Sequence, residues 1–147
     1  MSAFTVHLVS WKDAEPLLRS VRESVFMREQ GVSAELEWDG LDNACHHALV
    51  LSSKGDAIGC GRITADGHIG RVAVLPEWRN KRIGTAILEM LVDYGRSQHY
   101  EHVELNAQVH AIHLYKKFGF EINGEEFMDA NIPHRKMKLQ LKDRNIS

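Results

Sequence analysis

Cysteine is almost missing from this chain: Cys45 and Cys60 are the only two. Their separation fits neither a metal-site spacing nor a disulfide framework, so both are expected to be free thiols of a reducing compartment. No apolar run reaches the roughly 20 residues of a membrane span. The N-terminal residues carry no signal-peptide pattern, and the expectation is a cytoplasmic protein without membrane contact. Neither sign of charge dominates: 18 basic residues against 20 acidic ones leave a formal net charge of −2. No global basic field therefore recruits nucleic acid. Repeats, low-complexity tracts and linkers are also lacking. The 147 residues, 44% hydrophobic and 26% charged, suit one soluble domain over 1–147 with a real core. The chain has nine histidines, but none forms a helical His-x3-His pair or a Cys/His spacing tied to a carboxylate. His110 and His113 are three apart, and no metal is expected.

What is present is one dense stretch, residues 70–90. A short apolar strand (Val72, Ala73, Val74, Leu75) is stopped by Pro76, which has no N–H for a ladder. A basic turn follows, Arg79, Asn80, Lys81 and Arg82, and then a helix start at Ile83, Gly84 and Thr85. Ile83, Ile87, Leu88, Leu91 and Val92 recur at helical spacing. The first turn of a helix has unpaired N–H groups and the positive dipole end, which attract anions. Gly84 lets a bulky ligand approach the backbone, so the stretch reads as a phosphate or pyrophosphate cradle. It is not a nucleotide P-loop, because no Gly-Lys-Ser/Thr ends it, and one glycine does not make a dinucleotide fingerprint.

Around it the pattern gives strands at 4–9, 46–51, 57–63, 69–75, 102–106, 120–126 and 135–141. Helices are expected after Asp13 as a cap (Leu17, Leu18, Val21, Val25), from about 80 to 97, and over 111–118, where Gly119 suits a left-handed cap. Residues 25–42 are rich in carboxylates yet carry Phe26, Val32, Leu36 and Trp38. They read as a broken helix and a loop over a cleft, punctuated by Gly31 and Gly40. The order implies an α/β (α+β) fold: a mixed, mostly antiparallel sheet of about seven strands with helices on both faces.

With that order in view, the chain resembles the GNAT superfamily of acetyl-CoA-dependent acyltransferases. The family's Gln/Arg-x-x-Gly-x-Gly/Ala signature stands here as Arg79-Asn80-Lys81-Arg82-Ile83-Gly84, with arginine at 82 where glycine is usual. Leu105-Asn106-Ala107-Gln108 followed by Ala111 through Phe120 is similar to the family's strand and helix with its Tyr and Gly-Phe ending. The segment around Ile132-Pro133-His134, with Val25 through Gln30 and the acidic stretch to Asp42, resembles the ElaA-like and YjcF-like branch. The resemblance implies a central parallel pair that splays apart and transfer of an acetyl group from acetyl-CoA to a primary amine of a small molecule by direct attack. It implies that Val72, Ala73 and Val74 bind the pantetheine arm as a strand would, that residues 79–85 and Asn106 hold the rest, and that Tyr115 protonates the leaving thiolate.

For removal of the amine's proton the candidates are Glu29, Glu37, Asp39, Asp129 and His134; histidine titrates near neutrality with little tuning. Gln30, His47, Asn106 and Gln108 are expected as polar walls that orient substrate, together with Glu29, Asp39 and Asp129. The acidic loop points to a cationic acceptor. Relatives commonly dimerise, which extends by analogy to a homodimer here. An acyl-CoA-binding module without turnover is the competing reading, favoured by Arg82 and by the open choice of base.

Overall fold

The structure is a computed structural model, and it describes residues 3–141. Its seven strands are β1 (Phe4–Ser10), β2 (His46–Ser52), β3 (Ala57–Ile63), β4 (His68–Val74), β5 (His102–Gln108), β6 (Glu121–Asp129) and β7 (Ile132–Gln140). They form one sheet in the order β1-β2-β3-β4-β5-β7-β6, and β4–β5 is the parallel pair in an otherwise antiparallel sheet. The local sequence dictates much of this. Tight turns at Gly55 (φ +86) and Gly67 (φ +88) force antiparallel neighbours. Ala130 and Asn131, at φ 52 and 62, make the two-residue turn between β6 and β7. The parallel pair needs a crossover, which the helix Ile83–Ser97 supplies.

Helix α1 (Trp11–Arg22) begins one turn earlier than expected. Ser10 Oγ, not Asp13, caps it, accepting the Asp13 N–H at 3.2 Å. Its stripe Trp11, Ala14, Leu18, Val21 and Val25 covers Leu49, Cys60 and Ala73 on one face of the sheet. Helix α2 is the single turn Ala34–Glu37, capped by Ser33. Helix α3 (Ile83–Ser97) buries Ile83, Ile87, Leu88, Leu91 and Val92 against Ile58, Ile63, Ile69, Val103 and Leu105 on the other face. Each such side chain contributes about 1.5–3 kcal/mol. A Cβ on Gly61 would stand 2.7 Å from Ile87 Cγ2, so glycine is what lets α3 lie this close. Helix α4 (Ile112–Phe118) ends at Gly119, φ +116, as its sequence requires. Among the described residues no helix is long and apolar enough to cross a membrane.

Two departures from regular geometry position the site. The β3–β4 register passes from Cys60↔Ala73 to Arg62↔Gly70, so β4 holds one extra residue, and Arg71 there has φ 53. Past this bulge β4 leaves its parallel neighbour: the pairing covers only His68↔Glu104 and Ile69↔Leu105. The second departure is in α1. It continues as a π-helical segment over Glu23–Glu29, closed by Gln30 N–H to Val25 O at 3.0 Å, and breaks at Gly31 (φ +72), as the sequence suggests.

Candidate active site

The stretch from β4 to α3 keeps the order of strand, basic turn and helix start that the sequence suggests, with two left-handed residues in the turn. A short 3₁₀ turn, Pro76–Trp78, delays α3 to Ile83, and both Asn80 (φ 62) and Arg82 (φ 65) are left-handed. Arg82 is the N-cap and its side chain does not cap, so the first-turn N–H groups of Ile83, Gly84 and Thr85 are left to face outward. A Cβ on Gly84 would meet only Leu114 Cδ2, at 3.9 Å. Packing therefore does not require glycine, and the space beside the backbone is open. A left-handed residue with a Cβ is strained by about 1 kcal/mol. Arg82→Gly is accordingly expected to stabilise the ligand-free protein by at most about 0.5 kcal/mol, because the added unfolded-chain entropy offsets most of the relieved strain. A thermal melt checks this, and a lowered Tm would mean that the arginine side chain makes compensating contacts.

Arg79 departs from the expectation that it is free to hold pyrophosphate. Its Nε donates to Val74 O at 2.9 Å and its two terminal nitrogens grip Glu29 at 2.7 and 2.6 Å. The hydrogen bond from Arg79 holds Glu29 below the usual carboxylate range, and Glu29 raises Arg79 in return. Lys81 and Arg82 are exposed beside the cradle. Val72 and Val74 lie on the part of β4 that has left β5, and Asn106 is exposed on the facing stretch of β5. Tyr115, on α4, packs edge-on to Phe120 with ring centroids 6.1 Å apart. Burial pushes its phenol up to about 12, and its hydroxyl makes no hydrogen bond among the described residues.

On the α1 side the acidic loop is not a free negative surface. Arg22, 1% exposed, binds Glu37 Oε2 at 2.7 Å and Asp42 Oδ1 at 2.6 Å. Arg62 bridges Asp42 at 2.8 Å and Asp39 at 3.0 Å. Arg71 reaches Glu37 Oε2 at 3.1 Å, as an ion pair without hydrogen-bond alignment, and Asp39 at 3.3 Å. Burial alone would raise Asp39, but hydrogen bonds from Arg62 and Leu41 N–H outweigh it and hold the carboxyl at about 2. Glu37 goes the other way: burial pushes it up against the pull of Arg71 and Arg22. Guanidinium and carboxylate balance one for one here, so the loop exerts no net negative field, which corrects the argument for a cationic acceptor. Glu37, 2% exposed, is sealed between its partners, with no opening toward an amine.

His47 is also not a wall group. It is 1% exposed, donates from Nε2 to Asp42 O at 3.0 Å, and packs on Trp11. Burial lowers its pKa. Gln30 and Gln108 do meet, at 2.9 Å, joining the π-helical tip to β5. His134, the register partner of Gln108 on β7, donates from Nδ1 to Ile132 O at 2.7 Å and stacks on Phe127. Asp129 is exposed at the β6–β7 tip. A cavity of about 570 Å³ opens between the acidic loop and the β3–β4 turn, with Asp39, Arg62, His68 and Arg71 in its lining. Arg62, Arg71 and His68 escape a reading of the sequence. The available signal is two Gly-Arg pairs, 61–62 and 70–71, set inside otherwise apolar strands.

A seven-stranded sheet whose one parallel pair splays beside an uncapped helix N-terminus is the arrangement expected from the resemblance to acyltransferases. The comparisons agree: residues 20–141 match the acetyltransferase (GNAT) domain family. The chain is 37% identical over 121 residues to the Bacillus subtilis protein named uncharacterized N-acetyltransferase YjcF, covering 80% of this chain and 86% of that one. An acyl-CoA N-acyltransferase of Pseudomonas aeruginosa superposes with TM-score 0.77 at 26% identity, over 95% of this chain and 99% of the other. Escherichia coli ElaA superposes with TM-score 0.83 at 23% identity, over 92% and 99%. The chain belongs to the GNAT family, whose members move acyl groups from acyl-CoA, and its kinship accords with the ElaA/YjcF-like branch.

Proposed function

We propose that this chain is a single-domain cytoplasmic N-acetyltransferase that moves an acetyl group from acetyl-CoA to a primary amine of a small molecule. The observation that carries the reading is the pairing of the splayed β4–β5 strands with an uncapped α3 N-terminus beside a glycine that packing does not need. In this reading the N–H groups of 83–85, with Asn80, Lys81 and Arg82, hold the pyrophosphate. The freed edge of Val72, Ala73 and Val74 takes the pantetheine amides as a strand partner would, across from Asn106. Bound acetyl-CoA supplies the activated acyl group, and a backbone N–H of β4 polarises its carbonyl.

Tyr115 holds its proton through the neutral range and gives it to the departing sulfur. The same water-poor walls that raise the phenol also raise the thiol. Gln30, Gln108, Asp39 and Asp129 border the acceptor's approach, and His134 offers Nε2, because its Nδ1 proton is already donated.

The test is a thermal melt with acetyl-CoA, free CoA and ATP titrated separately. At a hundred times the dissociation constant a ligand stabilises by about 2.7 kcal/mol. For a domain of this size that is roughly 5–10 °C. A shift with acetyl-CoA and CoA but not ATP is expected; no shift with any of them would end the reading. A shift without thiol release from any amine would favour the binding module instead.

A further inference from the structure

The cavity between the acidic loop and the β3–β4 turn contains an imidazole that the reading above leaves idle. Asp39 and Arg71 in its wall are tied into the ion network, and Asp66 accepts the Thr64 hydroxyl. His68 is placed differently. It opens β4, and its Nδ1 lies 3.9 Å from Oε1 of Glu104, its register partner on β5. Lys136 Nζ sits 3.8 Å from the other oxygen of that carboxylate. No hydrogen bond engages Nε2 among the described residues. The ring leans along the strand toward the bulge: a Cβ built on Gly70 would find His68 Cδ2 at 3.9 Å and nothing else within 4 Å. The free edge of the imidazole therefore looks across a residue without a side chain to the point where β4 and β5 part.

Resting on the function proposed above, we infer that His68, with Glu104 beside it, is the base that frees the acceptor amine for attack. The carboxylate of Glu104, 3.9 Å from Nδ1, favours the imidazolium that forms when Nε2 takes a proton. Burial lowers the pKa of His68, against the upward pull of Glu104 and Asp66 and with help from Arg62 and Lys136, so the ring is neutral at pH 7. His134 is less accessible, being 7% exposed under the Phe127 ring. In the reaction the acceptor ammonium gives one proton to His68 Nε2, directly or through one water. The nitrogen lone pair forms the C–N bond to the thioester carbonyl, the C–S bond breaks, and its electron pair leaves on sulfur, which takes the Tyr115 proton. The surplus proton on nitrogen returns to Tyr115 through solvent, and His68 releases its own to water. Thioester and ammonium thus give amide, thiol and one proton.

Thiol release from acetyl-CoA would be followed for the parent, His68→Gln and His134→Gln. The acceptors are a panel of amino acids, amino sugars and diamines, and separately hydroxylamine, which is uncharged at neutral pH and needs no base; the enzyme-free reaction of each acceptor with the thioester is subtracted throughout. His68→Gln is expected to lower amine turnover about 100-fold near pH 7. It should also move the rising limb of the pH profile toward the amine's own pKa. Hydroxylamine turnover and the acetyl-CoA melt shift should stay at parent values, and added imidazole should restore part of the amine rate. An unchanged pH profile, an equal loss with hydroxylamine, or a limb that moves in His134→Gln alone would overturn the assignment. Failure of the underlying function would look different: the parent itself would release no thiol with any acceptor, and the assignment would fall with it.

Discussion

Arg22→Ala is expected to destabilise the protein by about 3–5 kcal/mol, because it strands two buried carboxylates. For this chain length that is a fall in Tm of roughly 10–15 °C. The guanidinium is 1% exposed, forks between Glu37 and Asp42, and also donates to Glu37 O at 3.1 Å. The rings of Trp11 and Trp38 face it at 5.6 and 4.7 Å, so its removal costs packing as well as charge. Arg22→Lys should recover little, since an ammonium cannot make the planar fork. Urea unfolding of the three proteins decides the matter: a loss below about 1 kcal/mol would show that solvent or a rearranged Arg62 takes over the carboxylates. Acid should act on the same network. With its carboxyl held at about 2, Asp39 contributes stability that is fully present above its ordinary value near 3.8 and fades only as pH falls through 2.

Tyr115→Phe should lower turnover by about 100-fold or more while the acetyl-CoA melt shift is kept. The substitution removes one oxygen from a ring whose contacts to Phe120 and the α3-side core are apolar. Folding and binding therefore have little to lose, and the proton donor is what disappears. A general acid must be protonated to act. With its phenol pushed up to about 12, Tyr115 meets that condition across the working range, so the parent's rate should show no alkaline fall before about pH 10. Equal rates in parent and variant would remove the acid role, and an early alkaline fall would assign it to another group.

Much of the architecture is legible because it is written in local periodicity. Met137, Leu139 and Leu141 alternate, and Ile83 through Val92 repeat at helical spacing. The boundaries are less legible, and each miss has a cause. Ser10 wins the α1 cap from Asp13 because its hydroxyl sits three residues before the N–H it accepts. Residues 80–82 look helical in composition, yet two left-handed residues hold α3 back to Ile83. The β6 and β7 strands extend to Asp129 and from Ile132, because the Ala130–Asn131 pair turns the chain in two residues and neither is glycine. The hardest part to read is the charge pattern. The carboxylates of 37–42 are neighbours in sequence and read as an acidic loop, whereas Arg22, Arg62 and Arg71 come from three other elements, 15 to 34 positions away in the bonds they make. Local pattern shows the anions, and only the fold brings their cations to them.

The π-helical segment carries a consequence for how this chain can vary in length. A π turn spends one more residue per bonded loop than an α turn, while the rod before it is untouched. Loss of a single residue within 23–29 would let an ordinary α-helix form without breaking the backbone ladder. The larger rotation per residue of the α form would make up for most of the residue lost, so everything beyond would keep nearly its present direction. A deletion within Trp11–Arg22 has no such reserve: it would swing the tip by about 100°, and Glu29 would leave Arg79 and Gln30 would leave Gln108, although neither residue had changed. The π turn is thus the one place along this rod where a residue can be lost while α1 stays joined to both walls of the cleft.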